Sequence, residues 1–150
     1  MSFSGVFQHA IDAKGRTSLP ARFRDVLAGA GADKLFVTTD LYERFLLAYA
    51  PAQWNAFTQK VAALPQFAAT TRHLMRTVVA PAQECPFDKL GRILIPASLR
   101  EHAELSSEIV WAGSIERIEI WSPAGWKKCQ EAARSPEVQA ELVSTLAKIL

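Results

Sequence analysis

The sequence predicts an α+β fold in which two hairpin-and-helix modules pack on each other. Three observations carry that prediction. A thirteen-residue stretch occurs twice, as DAKGRTSLPARFR at 12–24 and DKLGRILIPASLR at 88–100. Around each copy, short β-rich runs and turn residues give way to helical spacing. And 150 residues divided in two leave modules too small to bury an adequate core alone, so they must share one.

An internal repeat outweighs local propensity in deciding a fold. At the 76-residue offset Asp12/Asp88, Gly15/Gly91, Arg16/Arg92, Pro20/Pro96, Ala21/Ala97 and Arg24/Arg100 are identical, while Leu19/Ile95 and Phe23/Leu99 are alike. Val6 to Ile11 is predicted as a strand. Asp12 to Gly15 is a tight turn, with Gly15 suited to positive φ. Arg16 to Leu19 then closes a hairpin, and Pro20 suits the first position of a helix. Phe23, Val26 and Leu27 share one face of that helix, and Gly29 or Gly31 stops it.

Strands follow at Leu35–Thr39 and Phe45–Tyr49, joined through Leu41 to Arg44. Pro51 opens a longer helix whose Trp54, Phe57, Val61 and Leu64 form one apolar stripe, ended by Pro65. Residues 66–74 suit a short helix, and Arg76 to Ala80 a strand. The order then repeats: a strand at Ala82–Phe87, the Asp88–Gly91 turn, a strand at Arg92–Ile95, and a helix from Pro96. Strands at Ser107–Trp111 and Ile118–Trp121 flank a turn at Ser114–Arg117, and Pro123 opens another helix. Tyr42-Glu43-Arg44 parallels Ile115-Glu116-Arg117, and Tyr49, Pro51 and Trp54 parallel Trp121, Pro123 and Trp126. Ser135 caps a last helix, with Pro136 and Glu137 in its first turn. Val138, Leu142, Leu146 and Ile149 share a face suited to packing or to contact between subunits. The expected division is 6–53 for module 1, 54–81 for a connecting helix and linker, 82–126 for module 2 and 127–150 for a C-terminal helical segment.

At 49% apolar and 21% charged residues, the composition excludes a disordered chain. The net charge of +2 is unevenly spread: residues 1–75 carry eight basic and five acidic side chains, residues 76–150 nine and ten. A local basic cluster serves an anionic partner even on a nearly neutral molecule. Cys85 and Cys129 stand far apart and in no CxxC pair, which fits a reducing compartment and no zinc site. MSFSGVFQHAIDAKGR shows no basic region followed by an apolar run, and no apolar stretch is long enough to span a bilayer. A cytoplasmic protein is expected.

The turn D-x-x-G-R sets an acidic and a basic side chain at the two ends of a hairpin tip. Asp can bond the backbone of its own turn and accept from the Arg guanidinium. Either bond fixes the direction of the Arg, and an oriented Arg reads phosphate or a guanine edge well. Lys14 at the apex adds a phosphate contact. The same Asp–Arg pair can also serve only to stabilise the turn, and a duplicated packing unit would keep it too. Pro20 and Pro96, with the apolar residues around them, are structural.

His9, His73 and His102 are scattered away from any ligand cluster. Neither cysteine adjoins a His or a basic cluster, so buried structural thiols are expected. No Gly-rich phosphate loop, GxSxG or HExxH is present, and nothing supports an enzyme. Glu101 and Glu104 suit a solvated face. Trp54 and Trp126 suit the core better than base stacking. Arg24 and Arg100 could equally reach phosphate or cap a module interface.

FSGVFQHAIDAKGRTSLPARFR at the start, DKLGRILIPASLREHA in the middle, and their tandem arrangement resemble the MraZ family, bacterial regulators of the division and cell-wall gene cluster. The resemblance covers essentially the whole chain. Each half resembles the swapped-hairpin module of the AbrB, SpoVT and MazE class, which implies one pseudo-symmetric, β-barrel-like unit with flanking helices. Both DxxxR motifs of the family are intact, as Asp12/Arg16 and Asp88/Arg92, and these four positions take the family's DNA-binding role. Lys14, Arg22 and Lys89 complete the expected DNA-binding set. Pro86, just before the second motif, and the less basic second copy, with Ser98 where the first has Arg22, place more weight on Arg16 than on Arg92.

The resemblance implies a regulator that binds repeated sites in double-stranded promoter DNA, represses its own operon, and assembles as a ring-like homo-oligomer. A cytoplasmic, nucleoid-associated location follows. No cofactor, metal, membrane or small-molecule substrate is expected. The rival reading is an antitoxin-type module that binds a toxin or another protein. That class resembles one such module with a disordered acidic tail, whereas this chain has two modules and a patterned C-terminal helix.

Overall fold

The computed structural model describes residues Met1–Leu150. In chain order the elements are β1 (Val6–Ala10), β2 (Arg16–Ser18), α1 (Ala21–Gly29), β3 (Lys34–Thr39), β4 (Leu46–Tyr49), α2 (Pro51–Ala62), α3 (Ala69–Leu74), β5 (Gln83–Pro86), β6 (Arg92–Leu94), α4 (Ala97–His102), β7 (Glu108–Ser114), β8 (Arg117–Trp121), α5 (Pro123–Ala132) and α6 (Pro136–Ile149). This is an α+β architecture.

Six strands form an antiparallel sheet in the order β1-β7-β8-β4-β3-β5, and β2 pairs with β6 in a separate two-stranded ribbon. The repeat maps β1, β2, β3 and β4 onto β5, β6, β7 and β8. Applied to the sheet, that mapping returns the same order read backwards. The sheet is therefore pseudo-symmetric about the β4–β8 pair, and strands of the two halves are interleaved within it. Neither half holds a complete sheet. The strands do not close into a barrel: β1 and β5 are free edges. Pro86 stands on edge strand β5, where a missing N–H costs no interior ladder bond.

Two local expectations are corrected. First, β1 and β2 do not form a paired hairpin. Beyond the tip they share one isolated bridge, Ile11↔Thr17, with Thr17 Oγ1 donating to Ala10 O at 2.8 Å and His9 Nδ1 2.8 Å from Ser18 O, while β1 pairs with β7 and β2 with β6. The ribbon register sets Thr17 opposite Ile93, and both are buried. Pairing across the halves thus covers an apolar face that a three-residue strand could not cover alone. Second, Arg76 to Ala80 is not a strand. Met75–Val79 is a π-helical continuation of α3. The last carbonyls of a helix have no intrahelical partner. Here Thr38 Oγ1 donates to Val78 O at 2.5 Å and Thr39 Oγ1 to Thr77 O at 2.8 Å, so β3 completes the helix end.

Both faces of the central strands are buried. On one face Phe23 and Leu27 of α1, Ile93 of the ribbon and Leu99 of α4 pack with Leu35, Val37, Ile109, Trp111, Ile118 and Ile120. On the other, Phe45, Leu47, Tyr49, Val110 and Trp121 take Trp54 of α2 and Trp126 of α5. Alternation along the strands sorts Leu46 and Ala48 to the first cluster and Leu47 and Tyr49 to the second. Trp54 stacks on Phe36 at 5.6 Å, and Trp126 meets Trp121 edge-on at 5.8 Å, so both tryptophans are packing residues. Ser135 caps α6 by accepting from Val138 N. Leu142, Leu146 and Ile149 of that helix stay exposed. No helix is long and apolar enough to cross a membrane.

Candidate nucleic-acid interface

The two motif turns have the same construction. At the first tip, Asp12 N–H donates to Arg16 O at 3.0 Å and Gly15 N–H to Asp12 O at 2.9 Å. Asp12 Oδ1 accepts from the backbone N–H groups of Lys14 and Arg16, and Oδ2 accepts from Arg16 Nε at 2.7 Å. At the second tip Asp88 Oδ1 accepts from Leu90 and Arg92 N–H, and Oδ2 from Arg92 Nε at 2.7 Å. Gly15 and Gly91 adopt φ of +94° and +73°, the left-handed region that glycine tolerates.

The Asp carboxylate therefore does both jobs expected of it. One oxygen ties the turn and the other aims the arginine. The Arg16 backbone N–H, ahead of the Arg16 side chain, pulls the Asp12 carboxyl down to about 2, against a smaller opposing effect of desolvation. The Arg92 backbone N–H lowers Asp88 in the same way. Both carboxylates stay ionised at neutral pH. Each ion pair uses Nε, so the terminal amino groups of both guanidiniums have no partner within the chain.

The ribbon brings the two tips together. Arg16 pairs with Leu94, Thr17 with Ile93 and Ser18 with Arg92. Opposite residues of a ladder project to one side, and successive residues alternate. Thr17 and Ile93 point into the core, so Arg16, Ser18, Arg92 and Leu94 share the outer face. By ladder spacings the two arginine Cα atoms stand about 8 Å apart. Lys14 and Lys89 are exposed at the tips. Arg22 lies elsewhere: its guanidinium sits 5.6 Å over the Phe7 ring and donates to Ser4 O at 3.4 Å.

Each tip is also clasped by the other half. Ile95 N–H donates to Gly15 O at 2.8 Å, and Leu19 N–H donates to Gly91 O at 3.1 Å. Arg100 Nε donates to Ile95 O and its Nη1 to Ala13 O, placing Arg100 on the first tip. Arg24 lies against Gly91, where a Cβ would come within 2.9 Å of its Nη1. Of the two roles open to this pair in the sequence, the interface between halves is the observed position. Ser18 and Leu94 on the outer face were not singled out from the sequence. Period-two alternation would have found them had the β2–β6 register been known. No group of three or more His, Cys, Asp or Glu is placed to hold a metal ion.

The MraZ protein family, described as antitoxin-like, matches residues 2–77 and again 78–144. The chain is 42% identical to the transcriptional regulator MraZ of Geobacter metallireducens, over 84% of this chain and 86% of that protein. It is 44% identical to that of Heliobacterium modesticaldum, over 93% and 94%. It is 41% identical to that of a Marinomonas species, over 93% of each. With the paired DxxxR tips and a family match across both halves, the chain belongs to the MraZ family.

Proposed function

We propose that the chain is a sequence-specific, DNA-binding transcriptional regulator that reads double-stranded DNA with the β2–β6 ribbon. One observation carries the reading: two arginines, each aimed by its own aspartate, share one exposed ribbon face. The major groove, about 12 Å wide, admits a two-stranded ribbon, and arginine is the commonest reader of guanine there. Asp12 and Asp88 position Arg16 and Arg92, and Lys14 and Lys89 contact phosphate. Arg22 lies at the margin. The relatives named transcriptional regulators support the regulatory role.

In this reading the interleaving of strands from the two halves is the swapped-hairpin packing of the AbrB class, and residues 6–53 and 82–126 are its two modules. The protein acts in the cytoplasm on the nucleoid, represses its own operon of division and cell-wall genes, and uses no cofactor. A net charge of +2 gives one protomer weak affinity, since phosphate contacts dominate non-specific binding. A ring-like homo-oligomer on repeated promoter sites compensates through effective concentration.

The test is binding to the DNA upstream of the protein's own operon, at fixed salt, for the wild type, Arg16→Ala and Asp12→Ala. Arg16→Ala is expected to lose roughly five- to 150-fold in affinity, the loss of about 1–3 kcal/mol that one guanine contact carries. A folded Arg16→Ala protein with wild-type affinity and salt dependence would overturn the reading.

A further inference from the structure

Arg24 and Arg100 occupy the same place in the repeat and do different things. Arg100 is half-buried, and its guanidinium is committed to the first tip through Ile95 O at 2.9 Å and Ala13 O at 3.5 Å. A Cβ at Gly15 would stand 2.7 Å from Arg100 Nε, so the guanidinium is laid directly on the turn. Arg24 lies on the second tip in the same manner, with Nη1 2.9 Å and Cδ 3.0 Å from where a Cβ at Gly91 would stand. Yet Arg24 is exposed, and its side chain makes no hydrogen bond or ion pair with any group of the chain.

We propose that Arg24 is a DNA-phosphate ligand of the second tip, supplied to it by the first half of the chain, whereas Arg100 is a positioning residue for the first. The inference rests on the DNA-binding reading above. A cation without a partner inside the chain, held beside a turn that carries Lys89 and Arg92, completes a three-cation cluster at that tip. By sequence position Arg24 belongs to the first motif, as its counterpart Arg100 belongs to the second. By position in the fold it belongs to the second tip. Each tip then has a lysine, an aimed arginine and a third arginine from the opposite half, while Arg22, the cation by which the first copy exceeds the second, lies over Phe7 and away from both tips.

The experiment measures affinity for the upstream DNA between about 50 and 200 mM salt for the wild type, Arg16→Ala, Arg24→Gln, Arg24→Lys and Arg100→Gln. Thermal midpoints are recorded alongside. Each phosphate contact contributes roughly 0.9 to the logarithmic salt slope. Arg24→Gln is expected to keep the wild-type midpoint and to lose about that much slope for every second tip on the DNA. Its affinity deficit then shrinks roughly threefold across the salt range per contact. Arg24→Lys keeps the slope, because charge is what the contact needs. Arg100→Gln lowers the midpoint and broadens the Ala13–Gly15 amide resonances of the free protein. Wild-type slope and affinity in Arg24→Gln, with binding lost in Arg16→Ala, would overturn this inference and leave the DNA-binding reading standing. Loss of slope in Arg24→Lys as severe as in Arg24→Gln overturns it as well. No binding by the wild type, or none of it lost in Arg16→Ala, overturns both.

Discussion

Ile95 and Gly15 lock the first tip to the second half of the chain. Ile95 N–H donates to Gly15 O at 2.8 Å, and a Cβ on Gly15 would stand 2.4 Å from Ile95 O. The obstructing atom is backbone and cannot swing aside. Gly15 also holds φ at +94°, where L-residues are strained by about 1–2 kcal/mol. Gly91 has φ +73°, but the nearest neighbours of a Cβ there are the Nη1 and Cδ atoms of the flexible Arg24 side chain. Gly15→Ala is therefore expected to destabilise by more than about 2 kcal/mol, and Gly91→Ala by only about 1–2. Chemical denaturation of the two variants checks the ranking, and equal losses would contradict it.

The Asp12 carboxyl ties stability to acid pH. Its folded value, about 2, lies below the ordinary 3.8. The stabilisation it represents is present above the unfolded value and is lost as pH falls from about 3.8 through about 2. The largest cause is the backbone N–H of Arg16, which survives replacement of the side chain. A carboxyl-carbon NMR titration should show Asp12 depressed in the wild type and still partly depressed in Arg16→Ala. Full return to the ordinary value in a folded Arg16→Ala protein would show that the side chain, not the turn, holds the charge.

Elements of the fold could be read locally, but their partners could not. Thr17-Ser18-Leu19 reads as a strand from its residues alone. Its partner, Arg92–Leu94, lies in the other half, and that register is decided by burying Thr17 against Ile93 rather than by the turn between β1 and β2. β1 likewise takes its partner from the other half, with Phe7 opposite Trp111 of β7. The run Thr77-Val78-Val79 is rich in β-branched residues and so reads as a strand, yet Thr38 and Thr39 capture its carbonyls and favour the helical end. At the site, the Asp12–Arg16 and Asp88–Arg92 pairs follow from spacing alone. The crossing of Arg24 and Arg100 does not, because it follows from the exchange of strands between halves.

The two thiols should react in a fixed order. Burial pushes the Cys85 thiol up to about 12, inside the first core cluster. Cys129 on α5 is only partly covered. Its thiol is raised first by desolvation and then by the charges of Glu43 and Glu119. An aromatic disulfide reagent at neutral pH is expected to label Cys129 first, more slowly than a free thiol, because the thiolate is the nucleophile. Cys85 should react only as fast as the protein unfolds. Native labelling of Cys85 at the rate of Cys129 would contradict the packing described for β5.

Ile115 is a β-branched residue held at φ +63°, a conformation that costs such side chains dearly. It occupies the β7–β8 turn with its side chain 68% exposed, so burial returns little. What keeps it there is backbone: Phe3 N–H donates to Ile115 O at 2.8 Å and Ile115 N–H to Phe3 O at 3.0 Å. Those bonds pin the N-terminal segment to the turn and seat Phe3 in the core. Ile115→Asn keeps both bonds and suits the left-handed region better. It is expected to stabilise the protein by about 1 kcal/mol, seen as a rise in Tm of about 2–4 °C for a chain of this size. A fall in Tm on that substitution, measured at a fixed protein concentration, would mean that the exposed Ile115 side chain is covered by another copy of the chain.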